Sequence, residues 1–419
     1  MKNGAATEVL KLPFWTRALA VFSLALLLRV LYSALSGVLP LNPDSLDYVT
    51  LARNLSAHSF FTLDGLTPDY TRAPGYPFLL LFIGFPALGI KVALAAGALL
   101  DSATSVLFML SCRKFFGERP AFWTGLAYAC HPVFIGFSAL VLSETPFVFL
   151  WAASLLAFVG AVSSDRLAGF AAAGALLGLG VLTRPAHLYY PVALVPVFLF
   201  NVRGTRRASL AFLLFLSCFA AALSPWTVRN YLRFRAFIPV CTGGAAATWF
   251  GTLEKIPSQD ELLAVWPRGD FKSLEAESAF KRAAAENWKD HPWTIIRRLP
   301  RKFFKFWGTS HSSTFDMTLQ NSYYLGHGFR SLFAVKAVLL LLQGLTLAGG
   351  LAGAWVLRAQ WRRVLIFLMP AAYLSAHILN DSGPSRYHIS ALPGLIILAM
   401  AAIDSYLTRR TGDAAGKAV

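Results

Sequence analysis

Asp44, Asp47 and Arg72 lie near one another early in the chain, and Glu144, Arg184 and the pair Arg386-Tyr387 follow at longer range. Carboxylates can deprotonate a hydroxyl or steady a cationic carbon, and arginines grip phosphate with a fork of donors. Such a set suits chemistry at a lipid headgroup if the fold gathers it. Each member also has a plainer reading. Asp44 follows Pro43 and precedes Leu46, Tyr48, Ala52 and Leu55 at helical spacing, so it can serve as an N-cap with Asp47 at the capping-box position. Glu144 sits in Ser143-Glu144-Thr145-Pro146, a helix-start pattern in which an acid favours the dipole. Arg184, Arg229 and Arg386 stand at the ends of apolar runs, where an arginine can snorkel to the interface.

The elements that must position these residues are membrane helices. With 56% hydrophobic and only 14% charged residues in 419, and a mean hydropathy of +0.55, the chain excludes a secreted domain or a cytosolic enzyme. Ten apolar stretches are legible, at 18–39, 92–112, 121–141, 146–162, 167–183, 186–200, 208–225, 331–357, 363–380 and 389–407. The first is long enough to span and lacks a small-residue cleavage site, so it is expected to be a membrane helix rather than a cleaved signal. Basic tracts at Arg113 to Arg119, Asp165-Arg166, Arg203 to Arg207, Arg358 to Arg363 and Arg409-Arg410 mark one side as cytoplasmic and place both termini there. The net charge of +17 is thereby explained by topology and lipid contact, and no nucleic-acid partner is expected. Cys112, Cys130, Cys218 and Cys241 show no zinc, redox or disulfide spacing.

The chain divides into an N-terminal transmembrane module, 1–225, with a first outer loop at 38–91, then an extracytoplasmic region at 226–330 and C-terminal membrane helices at 331–419. Within the first loop, Tyr76 to Leu88 is too interrupted by Gly and Pro for a span and reads as re-entrant or lying flat. In the second, Ser273 to Asp290 reads as a charged surface helix. Pro292 to Trp307 mixes five basic residues with Trp, Ile and Phe, as an interfacial helix does. The Ala/Gly-rich stretch 168–180 predicts close helix packing, and no internal repeat is present. With this topology Asp44, Asp47, Arg72, Glu144, Arg184 and Arg386 all emerge on the outer face. Arg29 and Asp101, at matching depths in the first two spans, are expected to face each other as a buried ion pair.

Seven short motifs occur in order: Asp44-x3-Tyr48-x3-Ala52, Arg72-Ala-Pro-Gly-Tyr76-Pro, Arg113-Lys-Phe-Phe-Gly, Leu142-Ser-Glu144-Thr-Pro-Phe, Thr183-Arg184-Pro, Ser224-Pro-Trp-Thr-Val-Arg229-Asn, and Arg386-Tyr387 with Pro393. Together, across roughly residues 15–400, they resemble the GT-C glycosyltransferases, in particular the bacterial branch akin to dolichyl-phosphate-mannose protein mannosyltransferases and the lipid A aminoarabinose transferase. The resemblance implies an all-α, GT-C-like bundle of about ten transmembrane helices with a helical extracytoplasmic loop region, in the bacterial plasma (inner) membrane. It implies an enzyme that takes a sugar from a polyprenyl-phosphate carrier and transfers it, outside the cytoplasm and with inversion, to a glycan, lipid or protein.

On that resemblance the first-loop aspartate taken as catalytic base falls on Asp44, the second acidic residue on Glu144, and the donor-phosphate contact on Arg72. Asp47, Tyr48, Tyr76, Arg184, Arg229, Arg386 and Tyr387 complete the expected substrate-binding set. Many relatives have Asp-Glu where this chain has Asp44-Ser45, so no cofactor is assigned and a divalent metal is not predicted. The chain as given lacks the large C-terminal soluble domain of some members, which leaves acceptor binding to 226–330 and the membrane. Two other functions share the composition: a lipid-linked sugar flippase or transporter, and a polymerase or ligase using diphosphate-linked donors. The first would place its polar groups at the midplane and show inverted repeats.

Overall fold

The computed structural model describes residues 11–39, 41–255, 257–307, 321–377 and 385–416, and every regular element among them is helical. The first span is α1 (Phe14–Ser36), and α2 (Pro43–His58), α3 (Gly75–Phe82) and α4 (Phe85–Leu88) follow before the next long apolar helix, α5 (Ile90–Phe116). α6 (Glu118–Ala129) and α7 (Pro132–Ser138) share the third apolar stretch, and α8 (Glu144–Ser164) and α9 (Leu167–Thr183) take the next two. α10 (Tyr190–Ala193) and α11 (Val195–Asn201) occupy the sixth, and α12 (Thr205–Phe234) the seventh. The outer region holds α13 (Gly244–Thr252), α14 (Gln259–Val265), α15 (Leu274–Asp290) and α16 (Pro292–Trp307). α17 (Asn321–Gly326) precedes α18 (Arg330–Val356), α19 (Trp361–His377) and α20 (Leu392–Gly416), which close the bundle. Residues 378–380, at the end of the ninth apolar stretch, lie outside the described residues.

Among the described residues six helices are long and apolar enough to cross a bilayer: α1, α5, α8, α12, α18 and the Leu392–Arg409 part of α20. The protein is a multi-pass membrane protein. Of the remaining expected spans, α9 and α19 are each a continuous helix of 17 residues. The other two are broken, and proline explains both. Pro132 lacks an N–H and disfavours helical geometry at the residue before it, so His131 is extended (φ −74°, ψ 118°) and the third stretch parts into α6 and α7. Pro185, Pro191 and Pro196 divide the sixth stretch into a 3₁₀ turn (Pro185–His187), α10 and α11. In contrast, α12 runs through Pro225 and continues to Phe234, beyond the apolar stretch that ends at 225. α3 has eight residues and so rises only about 12 Å. That is far short of a hydrocarbon core of roughly 30 Å. Gly84, with φ 78°, turns the chain into α4, and the pair forms a short broken helix packed on α2 and α9.

Small residues set how closely the helices cross. A Cβ on Gly174 would lie 2.0 Å from the Phe215 carbonyl oxygen, and one on Gly178 would lie 2.7 Å from the Phe219 carbonyl oxygen, so α9 and α12 touch backbone to backbone. The Ala/Gly-rich stretch is this seam. Gly75 makes the same kind of approach at the end of α9, where a Cβ would stand 2.8 Å from the Leu182 carbonyl oxygen. Gly174→Val is therefore expected to cost upwards of about 3 kcal/mol by overpacking, read as loss of the monodisperse peak in detergent. Gly160→Ala, where nothing lies within 4 Å of the added carbon, is the control and should leave that peak unchanged.

Candidate active site

α2 begins with Asn42 as its cap: the Asn42 side chain accepts from the Ser45 N–H at 2.8 Å, and Pro43 takes the first helical position. This removes the capping role considered for Asp44. The Asp44 carboxylate is instead held by two arginines from distant parts of the chain. Arg72 Nη2 lies 2.7 Å from Asp44 Oδ1, and Arg386 Nη2 lies 2.6 Å from Asp44 Oδ2. Arg72 also grips Asp47, with Nε 2.7 Å and Nη2 2.6 Å from Oδ2. On the other side, Arg386 Nη1 is 3.7 Å from Glu144 Oε1, and Arg184 Nη1 is 2.9 Å from the same oxygen. A continuous ionic chain results: Asp47, Arg72, Asp44, Arg386, Glu144, Arg184.

Burial alone would push the Asp44 carboxyl up, but Arg386 and Arg72 outweigh it and hold the group below the ordinary carboxylate range. Glu144 is fully buried at the first turn of α8, so it is both the helix-start acid and a site residue. Its oxygens lie near Arg184 and Arg386 without the alignment of a hydrogen bond. A buried carboxylate with unfilled acceptor capacity is built to receive donors from something else.

Aromatic residues wall the cluster. The Tyr48 hydroxyl donates to Ser143 Oγ at 3.3 Å, and its ring meets Tyr76 edge-on at 5.3 Å. The Arg72 guanidinium stands 5.8 Å from the Tyr48 ring and the Arg184 guanidinium 5.0 Å from the Tyr387 ring. Tyr76 is buried, and burial raises its hydroxyl well above the usual range, so it stays neutral.

A family model described as dolichyl-phosphate-mannose-protein mannosyltransferase matches residues 73–228, the stretch that carries Glu144 and Arg184. No curated protein matches the chain by sequence. The apo crystal structure of the Archaeoglobus fulgidus oligosaccharyltransferase superposes with a TM-score of 0.56 at 14% identity, over 96% of this chain and 52% of that one. The chain has the GT-C glycosyltransferase fold. The same archaeal enzyme, AglB, in complex with an inhibitory peptide and a dolichol-phosphate gives a TM-score of 0.55, with 14% identity and coverage of 96% and 52%. ArnT from Cupriavidus metallidurans bound to undecaprenyl phosphate is 16% identical, with a TM-score of 0.45 over 95% of this chain and 77% of that one. The chain thus spans about half the length of the archaeal oligosaccharyltransferase.

Within this GT-C fold Arg229 stands apart from the ionic chain. On α12 it donates to the Asp69 carbonyl at 2.7 Å and packs 4.5 Å from the Trp226 ring. With Arg233 it borders a cavity of about 1640 Å³ lined mainly by apolar side chains, among them Phe61, Phe78, Phe149 and Leu179. Pro74, Gly75, Pro146 and Thr183 line that cavity and lie in the segments that carry Arg72, Glu144 and Arg184. A cationic lip on an apolar chamber thus adjoins the carboxylates.

Lys272, not legible as a site residue, joins the cluster with Nζ 3.6 Å from Asp47 Oδ2. It is brought there by the outer region, where Thr242 donates through its N–H to the Tyr70 carbonyl and through Oγ1 to the Lys272 carbonyl. A lone lysine in a long polar loop carries no spacing signal. Asp44 and Asp47 share Arg72 and do not face a common site with a third acid. Among the described residues no three His, Cys, Asp or Glu side chains are grouped as metal ligands.

Proposed function

We propose that the protein is an integral-membrane glycosyltransferase that moves a sugar from a polyprenyl-phosphate carrier to an extracytoplasmic glycan, lipid or protein, with inversion. The observation that carries this reading is the ionic chain from Asp47 to Arg184, with an acid between arginines at its centre, beside an apolar cavity with an arginine lip. The matched family model and the likeness to the archaeal oligosaccharyltransferase in complex with a dolichol-phosphate support it. The setting that fits is the bacterial inner membrane, with both termini in the cytoplasm and the site on the outer face.

The chemistry follows from the groups present. The acceptor oxygen attacks the anomeric carbon, the bond from that carbon to the phosphate oxygen breaks, and the acceptor proton passes to Asp44. The leaving phosphate gathers charge that Arg72, with Lys272 beside it, is placed to stabilise. In the free protein Asp44 is locked between two cations and is a poor base. A phosphate that draws Arg72 away removes one of the two cations that hold Asp44 low, which raises its basicity when the donor is in place. Glu144, with its free acceptor capacity, orients sugar hydroxyls. The prenyl tail lies in the cavity below.

Binding of undecaprenyl phosphate to the purified protein, followed by thermal shift in detergent, tests the donor side. Arg72→Ala is expected to weaken binding by at least tenfold, the loss of about 1.5–3 kcal/mol from charge-assisted hydrogen bonds. Arg282→Ala, on the exposed face of α15, should change it less than twofold. Equal losses would show that Arg72 does not hold the phosphate. Transfer itself is read by mass spectrometry of lipids and glycans from cells with and without the gene, and an unchanged profile would overturn the proposal.

A further inference from the structure

α16 joins two surfaces that have no other evident reason to communicate. Its sequence, Pro-Trp-Thr-Ile-Ile-Arg-Arg-Leu-Pro-Arg-Lys-Phe-Phe-Lys-Phe-Trp, contains five cations and no acid. At 100° per residue the apolar side chains fill one half of the helix surface and the cations the other. The apolar half is itself divided. Ile295, Phe306 and Trp307 are buried against protein, whereas Trp293 (72% exposed), Phe304 (73%), Phe303 and Ile296 are not covered. Next to this uncovered edge come the exposed Arg297 and Arg301, while Arg298 and Lys302 turn inward to the Thr252 and Gly251 carbonyls.

The C-terminal end of α16 fixes its depth. Phe306 and Trp307 pack with Ala371 and Leu374 near the end of α19 and with Ala391 and Leu395 at the start of α20, and Trp307 Nε1 donates to Ser375 Oγ at 3.0 Å. Those are the outer ends of the last two membrane helices. An amphipathic helix held there presents aromatic side chains at acyl-chain depth and arginines at the headgroups, and the exposed Arg297 and Arg301 match an anionic lipid surface.

The same end touches the site. His388 is clasped by Phe306, edge-on at 5.1 Å, and by Trp307, stacked at 5.3 Å with an interplanar angle of 8°. His388 lies two residues after Arg386 in the 3₁₀ segment Ser385–Ser390. Arg386 is the link between Asp44 and Glu144.

We propose that α16 docks on anionic lipid headgroups through Arg297 and Arg301, and that the Trp307–His388 stack passes this seating to the 385–390 segment, which sets Arg386 against Asp44 and Glu144. Trp307 and His388 are then positioning residues, and the membrane surface is a determinant of the site's geometry. The role of Arg386 in catalysis rests on the proposed transferase reading, but the coupling does not need it.

Hydrogen exchange by mass spectrometry tests the coupling without any substrate. The full-length protein is placed in nanodiscs of phosphatidylcholine alone or with 30% phosphatidylglycerol added. Anionic lipid is expected to slow exchange in 292–307, by about fivefold for each engaged arginine. Exchange in 385–390 should slow with it, and high salt should reverse both effects. Arg297→Gln with Arg301→Gln should abolish the lipid response in both segments. Trp307→Ala should keep the response in 292–307 and lose it in 385–390, and Trp307→Phe should restore it. The retained response of the helix shows that the variant is folded. If 385–390 ignores lipid charge in the wild type, or follows it in Trp307→Ala, the coupling does not exist. If 292–307 ignores it, α16 is not a headgroup-binding surface. Loss of transfer activity with these exchange results intact would count against the transferase reading alone.

Discussion

Asp44→Asn is expected to lower sugar transfer by about 10²–10⁴-fold while leaving the protein folded and still able to bind undecaprenyl phosphate. The fold should survive because Asn42, not Asp44, caps α2, and because neither arginine on Asp44 is orphaned by the change. Arg72 retains Asp47, and Arg386 retains Glu144. What is lost is the ability to accept a proton. Glu144→Gln should behave differently. Arg184, with 9% of its side chain exposed, faces Glu144 and would be left as a buried charge without a counterion, so yield and thermal stability should fall along with activity. The pH dependence adds a second signature. Arg386 and Arg72 hold Asp44 low in the free protein, so it stays ionised until the pH falls below the ordinary carboxylate range. The acid limb of kcat/KM should therefore lie low, whereas the limb of kcat, which reports the donor-bound state with Arg72 diverted to phosphate, should lie higher. The sign for stability is the same as for any depressed acid: the contribution of these pairs is present above the unfolded pKa and is lost as pH falls through the folded one. Transfer and thermal unfolding measured on the same proteoliposome preparations separate the cases, and full activity in Asp44→Asn would remove Asp44 as the base.

How far the sequence revealed these features depended on the physics behind each. Membrane helices are legible because each needs its own run of about twenty apolar residues, so α1, α5, α8 and α12 could be read one at a time. The charges stood out in the sequence for the complementary reason, since ionisable groups such as Asp44, Glu144, Arg184 and Arg386 are costly near a bilayer and few positions tolerate them. Their pairing was not. Arg386 meets Asp44 across 342 residues, and no local pattern encodes which arginine reaches which acid. The same limit hid Lys272, which is delivered to Asp47 by backbone contacts between two loops. Arg229 shows what a motif leaves open. Its motif grouped it with the site residues, but α12 continues past Pro225 and carries it to the lip of the apolar cavity, where it bonds the Asp69 carbonyl. Asp44 as a cap and Asp44 as a paired carboxylate looked alike in sequence. Asn42, two residues earlier, decided between them by taking the Ser45 N–H.

The ion pair within the spans supports the second large prediction. Arg29 on α1 and Asp101 on α5 face each other with Nε 2.5 Å from Oδ2, and both are buried. The serines that could have satisfied Asp101 bond elsewhere: Ser102 donates to the Ala98 carbonyl and Ser105 to the Ser102 carbonyl. The pair is also more than a pair. Tyr128 donates to Asp101 Oδ1 at 2.6 Å, and Arg29 Nη1 donates to the carbonyls of Ala25 and Ala129 at 2.9 Å. Ala129 is the last residue of α6, where the Pro132 break leaves helix-end carbonyls without intrahelical partners. Arg29 therefore seals the break in the third span while it balances Asp101. Removing one partner, by Arg29→Met or Asp101→Leu, should cost about 3–5 kcal/mol, because it strands a charge in a low-dielectric interior. The double replacement should recover much of this, but not all, since the Ala129 carbonyl loses its donor and the Tyr128 hydroxyl its carboxylate acceptor, at about 1–3 kcal/mol each. Adding Tyr128→Phe removes one of those two debts and should raise stability again. Thermal unfolding of the set in one detergent measures the coupling directly. A double variant as unstable as the two singles combined would mean that Arg29 and Asp101 act independently, and a triple variant no better than the double would mean that Tyr128 does not depend on the pair.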